Sequence, residues 1–465
     1  MGSWLVDAEG RVVVTHGFNV VKKLAPYYPS TFTAADAKLL ANEGFTSVRT
    51  GFMWEAAEPS PGRYDDRYIG RVVRFTRLLA RYGIRTLLDV HQDLWGRHAR
   101  LPTPGDGAPG WATLGLTFDD SFTAFWQNRP AADGVGIQTR YVQLWRHIAG
   151  AIRHDPWIIG IDPFNEPYVG TAYACDPLFA PCPAFETTAL PAFYNRVIHA
   201  VRAAGARQVI FPETIAYNGS AVPTLPGFAD RQTAYSFHFY CSTTQNSSTA
   251  EPYGSDSSEA RQCKPTEDTA FTHYRTYLHR LHVPGFLGEF SCNDIEPDNA
   301  QVVDLADKMF TSWTAWMYYT AADDPANCAK QGLLKNDARP ASERNAKQAK
   351  LDVFAEPYAQ YIAGTPISVS QNRTTHRYVL RLRHHAVPGV RLRRGALTQI
   401  FIPARDYPHG YRAIVRGGRT VSAAGSPWLL VKADAEARNV SVTVVSDAHG
   451  QPTKRPTQTG WLPLH

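Results

Sequence analysis

Eight short apolar runs recur along the first 360 residues, most of them separated by stretches with helical spacing. They are Val12–Phe18, Phe45–Thr50, Ile84–His91, Trp157–Phe164, Gln208–Glu213, Thr233–Phe239, Gly285–Phe290 and Trp313–Tyr319. Strands buried on both faces read as near-continuous apolar runs, whereas half-exposed strands alternate in polarity. Helix signals fill the intervals. Thr33 with Asp36 three residues on has the form of a capping box. A predicted helix from about Asp66 to Tyr82 stops at Gly83. Tyr141, Leu144, Trp145, Ile148 and Ile152 repeat at one-face helical spacing, and Phe193–Ala204 is also predicted helical. A last helix is predicted from about Ala341 to Tyr361. Right-handed crossovers close such a series into a ring. The expected fold class is therefore α/β, a (β/α)8 TIM barrel over residues 1–363.

The pattern changes near Gly364-Thr365-Pro366. Tyr378-Val-Leu-Arg-Leu-Arg alternates with period two, as do segments near Gln399–Ile402, Tyr411–Val415, Trp428–Val431 and Val440–Val445. Turn signals such as Gly417-Gly418 separate them, which predicts a small antiparallel β-sandwich over 364–450. The Pro/Thr-rich tail, 451–465, is expected to be flexible. The net charge of +6 is unevenly spread. Between Arg373 and Arg419 there are 11 Arg and one acid, Asp406. Alternation places many of these arginines on a solvated sheet face, suited to a membrane surface or an anionic glycan. No basic helix or recognised motif points to nucleic acid. No apolar run reaches the roughly 18 residues of a membrane span.

The six cysteines are Cys175, Cys182, Cys241, Cys263, Cys292 and Cys328, with no C-x-x-C among them. Six cysteines allow about 15 pairings. All six fall in expected loops after strands, where sequential bridges 175–182, 241–263 and 292–328 would staple long connections. Oxidised loops imply a secreted protein. The Met1-Gly2-Ser3 start lacks the charged and apolar regions of a signal peptide, so any such segment has been removed.

Two carboxylates stand out by position. Glu166 in Phe164-Asn165-Glu166-Pro167 follows the fourth strand, and Glu289 in Gly288-Glu289-Phe290 ends the seventh. Barrel enzymes place their chemistry at the C-terminal ends of strands. A retaining glycosidase needs two carboxyl groups there, an acid/base (Glu166) and a nucleophile (Glu289). Other polar residues share this address. Asn165 can donate to a sugar 2-hydroxyl, and Arg49 at the end of strand two can hold the nucleophile ionised. His91, Asp93 and His238 can bind hydroxyls, Tyr240 can hydrogen-bond Glu289, and Trp316 offers a stacking platform. No metal-ligand spacing and no cofactor signature is visible, so neither is expected.

These motifs resemble glycoside hydrolase family five, and within it the endoglycoceramidases. The resemblance runs through His16-Gly17-Phe18-Asn19, Val48-Arg49-Thr50, Leu88-Asp89-Val-His91-Gln92-Asp93, Gly107-Ala108-Pro109-Gly110-Trp111-Ala112, Asn165-Glu166-Pro167, His238-Phe-Tyr240 and Gly288-Glu289-Phe290. It continues in Thr398-Gln-Ile-Phe-Ile-Pro403 and Tyr407-Pro408-His409-Gly410-Tyr411. It implies cleavage between oligosaccharide and ceramide in glycosphingolipids, with Lys23 and Asp93 contacting sugars. The chain is expected to be a monomer with no cofactor, making peripheral contact with a membrane or micelle. Trp95, Trp111, Phe125, Trp126 and Tyr168 are the expected lipid-contacting residues. Ser291-Cys292 departs from the family pattern, which has glycine after G-E-F, and a galactosylceramide preference is one implication of such departures. Two other readings remain: an exo-acting glucosylceramidase or steryl-β-glucosidase, and a non-catalytic glycan- or membrane-binding protein.

Overall fold

The computed structural model describes residues 3–100, 105–175, 180–215, 219–245, 247–320 and 331–456. The tail beyond 456 lies outside the described residues, as does Cys328.

Eight parallel strands form one sheet: β1 (His16–Val20), β2 (Ser47–Met53), β3 (Arg85–His91), β4 (Ile158–Asp162), β5 (Val209–Ile210), β6 (Tyr235–His238), β7 (Gly285–Glu289) and β8 (Ser312–Ala315). The spatial order is β5-β4-β3-β2-β1-β8-β7-β6. Isolated parallel bridges, Ile210 to Thr233 and Glu213 to Ser236, join β5 to β6 and close the ring. The outer layer is α1 (Ala34–Asn42), α2 (Asp66–Ala80), α3 (Ile137–Ile152), α4 (Ala189–Ala203), α5 (Ser258–Leu281), α6 (Glu296–Lys308) and α7 (Gln348–Phe354). Thr33 makes the capping box with Asp36 that starts α1. No helix separates β5 from β6 among the described residues, so the expected alternation fails there.

Two further departures have clear causes. The first predicted strand is broken. Val12–Val13 pairs with the C-terminal sheet, and the barrel strand begins only at His16. The last predicted helix is too long. It ends at Phe354, and Tyr358–Ile362 is strand β9, paired with the two-residue strand Val12–Val13 and with β12 (Thr398–Phe401). Its Tyr-Ala-Gln-Tyr-Ile sequence is buried throughout, so strand pairing with distant chain overrides local helical preference.

The C-terminal unit is a two-sheet sandwich. One sheet runs Val12–Val13, β9, β12, β15 (Trp428–Ala433), β14 (Gly418–Thr420). The other runs β10 (Thr365–Asn372), β11 (Arg377–Arg383), β16 (Asn439–Ser446), β13 (Tyr411–Arg416). Tyr378, Leu380, Leu382, Val440, Val442 and Val444 face inward and form its core.

Bridges Cys175–Cys182 and Cys241–Cys263 are present. Cys263 lies buried in α5, not in a loop. The third expected pair includes Cys328 and so falls outside the described residues.

Candidate active site

The C-terminal ends of the barrel strands bring the expected residues to one mouth. Glu289 is the last residue of β7 and Glu166 follows β4. Arg49 Nη1 donates to Glu289 Oε1 at 2.6 Å, and the Tyr240 hydroxyl donates to Glu289 Oε2 at 2.8 Å. His238 Nδ1 lies 2.8 Å from Glu166 Oε1 and 3.6 Å from Glu289 Oε2. One oxygen from each of the two glutamates and a His238 nitrogen all lie within 4.8 Å of one another. That closeness matches retention, for which the carboxyl groups stand about 5–5.5 Å apart, and leaves no room for the intervening water of inversion. Burial pushes Glu166 above the usual carboxyl range; His238 opposes this and the charge of Glu289 reinforces it. Raising one carboxyl group of a close pair is the division of labour acid catalysis needs.

Asn165 Oδ1 accepts from Arg49 Nη2 at 2.8 Å, and its Nδ2 donates to the Gln92 carbonyl at 3.0 Å. His91 Nδ1 sits 2.7 Å from Asp89 Oδ2, and its ring stacks on Trp316 with centroids 5.4 Å apart. Burial alone would push His91 down, but Asp89 and then Asp93 hold it well above its ordinary value. Lys23 pairs with Asp93, stands 3.8 Å from Asp106 and lies 4.9 Å above the Trp316 ring. Lys22 points elsewhere, over Tyr319. His91, Asp93 and Asp106 are close enough to hold a metal ion, but the Lys23 ammonium is already paired into that cluster and opposes a second cation.

Three acids at this mouth are given no role by the sequence: Asp89, which lies within a motif, and Asp162 and Glu213, which do not. Arg49 Nη2 lies 3.1 Å from Asp89, 2.9 Å from Asp162 and 3.5 Å from Glu213. Glu213 follows β5. Its Oε2 accepts the Glu166 backbone N–H at 2.8 Å, and its Oε1 accepts from Ser236 Oγ at 3.0 Å. The same Oε1 makes a 2.9 Å charge contact with His238 Nε2, without the alignment of a hydrogen bond. Despite its burial, Glu213 is held far below the usual range, chiefly by His238 and then by Arg49. Asp162 is pushed well up by burial and then by the Glu213 charge. The available signal was an acid near the C-terminal end of each of the runs β3, β4 and β5.

Two small residues shape the mouth. A side chain on Gly288 would put its Cβ 2.8 Å from His238 Nε2, so glycine before Glu289 makes room for the imidazole. Ser291 adopts φ 73°, a left-handed conformation that favours glycine and costs other residues about 1–3 kcal/mol. This explains why glycine suits the position after G-E-F.

The aromatic residues expected on loops mostly pack, and Phe125 and Trp126 end a helix, Phe118–Trp126. Trp95 and Phe125 are fully buried and join Trp54, Phe122 and Tyr141 in an edge-to-face cluster. Trp111 and Trp126 are half-buried, their indole N–H groups donating to the carbonyls of Glu58 and Tyr168. Trp95 and Phe125 are therefore core, a correction to their expected contact with lipid. The exposed large apolar side chains beside the site are Leu24 and Leu94.

A closed parallel barrel with two close carboxylates at its C-terminal mouth defines a glycoside hydrolase. The chain belongs to glycosyl hydrolase family 5: the model described as Cellulase (glycosyl hydrolase family 5) matches residues 6–322. The Glycoside hydrolase family 5 C-terminal domain model matches 357–445. The chain is 27% identical to endoglycoceramidase I of Rhodococcus hoagii, covering 93% of this chain and 85% of that one. It is 26% identical to endoglycoceramidase of Cyanea nozakii, over 81% and 79% of the two chains. Endo-glycoceramidase II from Rhodococcus sp., in a cellobiose-like imidazole complex, superposes with a TM-score of 0.77 at 25% identity, covering 96% and 100% of the two chains.

Proposed function

We propose that this enzyme cleaves the β-glycosidic bond between oligosaccharide and ceramide, releasing both intact, through a covalent glycosyl-enzyme. The observation that carries the reading is likeness to endoglycoceramidases across both units, not the barrel alone. Glu289 is the nucleophile, held by Arg49 and oriented by Tyr240. Glu166 protonates the leaving ceramide oxygen and later takes a proton from water. Asn165, His91 and the Lys23–Asp93 pair bind the sugars, and Trp316 stacks beneath them. Leu24 and Leu94 supply exposed apolar surface at the rim. Two disulfides support action outside the cell; the enzyme works as a monomer in peripheral contact with a membrane or micelle. No helix among the described residues is long and apolar enough to cross a membrane.

The test is incubation with a ganglioside, lactosylceramide and glucosylceramide, followed by mass spectrometry. Intact oligosaccharide plus ceramide is the expected product. Stepwise monosaccharide release would assign an exo-acting enzyme instead, and no release from any of the three would refute the lipid substrate.

A further inference from the structure

The outer face of the sheet β10-β11-β16-β13 carries an acid-free array of arginines that the chemistry above does not use. Arg377, Arg381 and Arg383 on β11 alternate outward while Tyr378, Leu380 and Leu382 go into the core. Arg412 and Arg416 alternate outward on β13, with Ile414 between them, 44% exposed. Cross-strand register makes these one surface. Arg381 pairs with Ser368 and Ser441, and Ser441 pairs with Arg416. One step along, Val379 pairs with Ser370 and Thr443, and Thr443 pairs with Ile414. Between the two arginine strands β16 presents only Asn439, Ser441, Thr443 and Val445. With about 3.4 Å per residue and about 4.8 Å between strands, the five guanidinium-bearing positions span roughly 20 by 10 Å.

Neighbouring arginines are paired: Arg373 with Asp304 and Glu356, Arg393 with Glu9, Arg405 with Glu43 and Asp352, and Arg419 with Asp434. No ion pair is found for Arg377, Arg381, Arg383, Arg412 or Arg416 among the described residues. The nearby acids Asp434, Glu436 and Asp447 lie in turns beyond the ends of β15 and β16, and among the described residues none of them pairs with these five arginines. Five like charges on one flat sheet repel one another and gain nothing from the fold, so what they complement lies outside the chain. The Asn372 end of the sheet packs on the side of the barrel, where Arg373 pairs with Asp304 of α6 and lies 5.6 Å over the ring of Tyr253 in the connection leaving β6.

We infer that this face docks the enzyme on a lipid surface bearing anionic headgroups. Charge complementarity selects an anionic partner. The exposed Ile414 among the arginine stems favours a bilayer, which offers apolar contact beneath its headgroups, over a sulfated polyanion. The choice of lipid also rests on the proposed lipid-linked substrate, but the test does not.

The test is co-sedimentation with vesicles containing no glycolipid, made of phosphatidylcholine alone or mixed with phosphatidylglycerol. The protein is expected on the mixed vesicles only, and to leave them in about 1 M salt, where screening shortens to about 3 Å. Each arginine near such a surface is worth roughly fivefold in partitioning, so Arg381→Gln with Arg416→Gln should weaken binding roughly 25-fold. Hydrolysis of a soluble aryl glycoside by the variant should match the parent and so report an intact fold. If that pair does not fold, Arg377→Gln with Arg412→Gln removes the next row and carries the same expectation. Equal binding to neutral vesicles, or parental binding by the variant, would overturn the inference. So would retention on heparin without vesicle binding, which would assign the face to a sulfated glycan.

Discussion

Replacing Glu213 by Gln should shift the pH dependence of a reaction whose bonds it never touches. The substitution keeps the shape and an acceptor for the Glu166 N–H, and removes one charge. Tyr240, Arg49, Asp162 and the α5 residue Tyr274, whose hydroxyl donates to the His238 carbonyl, complete the surroundings of His238 beside Glu166, Glu213 and Glu289. At 2.9 Å the Glu213–His238 attraction is about 6 kcal/mol for an effective dielectric near 20. Much of this returns, because Asp162, pushed up partly by the Glu213 charge, can ionise beside Arg49 in its place. A net change of about one pH unit, roughly 1.4 kcal/mol, is expected to survive. The sign follows from the contacts. With Glu213 neutral, His238 loses protons more readily, and its hold on the Glu166 carboxylate weakens. Burial then lifts Glu166 further. The alkaline limb of kcat/KM for a phenyl β-lactoside, which needs the acid, should therefore move up by about one unit. For a dinitrophenyl β-lactoside, which needs no acid in its first step, kcat/KM should stay within about twofold, while kcat falls because deglycosylation needs Glu166 ionised. A pH profile superimposable on the parent's, or equal losses on both substrates, would refute the reasoning.

Glu289→Gln should abolish turnover of glycolipid and aryl glycoside alike, whereas Glu166→Gln should retain kcat/KM for a dinitrophenyl glycoside while its kcat falls with slow deglycosylation. NMR of fresh product should show the β-anomer, and an initial α-anomer would exclude retention. Replacing Cys241 and Cys263 together by Ala should cost about 3 kcal/mol in denaturant unfolding, from the loop that their separation of 22 residues closes. A loss under about 1 kcal/mol would show that the unfolded chain is not constrained by this bridge.

Much of this protein is legible in its sequence. A barrel strand is buried on both faces, so β2, β3 and β7 read as apolar runs, and an acid at the end of such a run has few structural reasons to be there. Glu166 and Glu289 are visible on that ground alone. What depends on contacts between distant segments is not legible. Glu213 closes an apolar run in the same way, but its role is fixed only when folding sets it against His238, Arg49 and the Glu166 backbone. Trp95 and Phe125 offer the same apolar area whether they face lipid or core, and only packing against Trp54 decides. Tyr358–Ile362 has a pattern that helix and strand both accept, and its state is settled by Thr398–Phe401, some forty residues later in the chain. Local sequence carries periodicity and burial. Pairing across the chain assigns partners, and with them charge states, because a buried ion is stable only where the fold places its opposite.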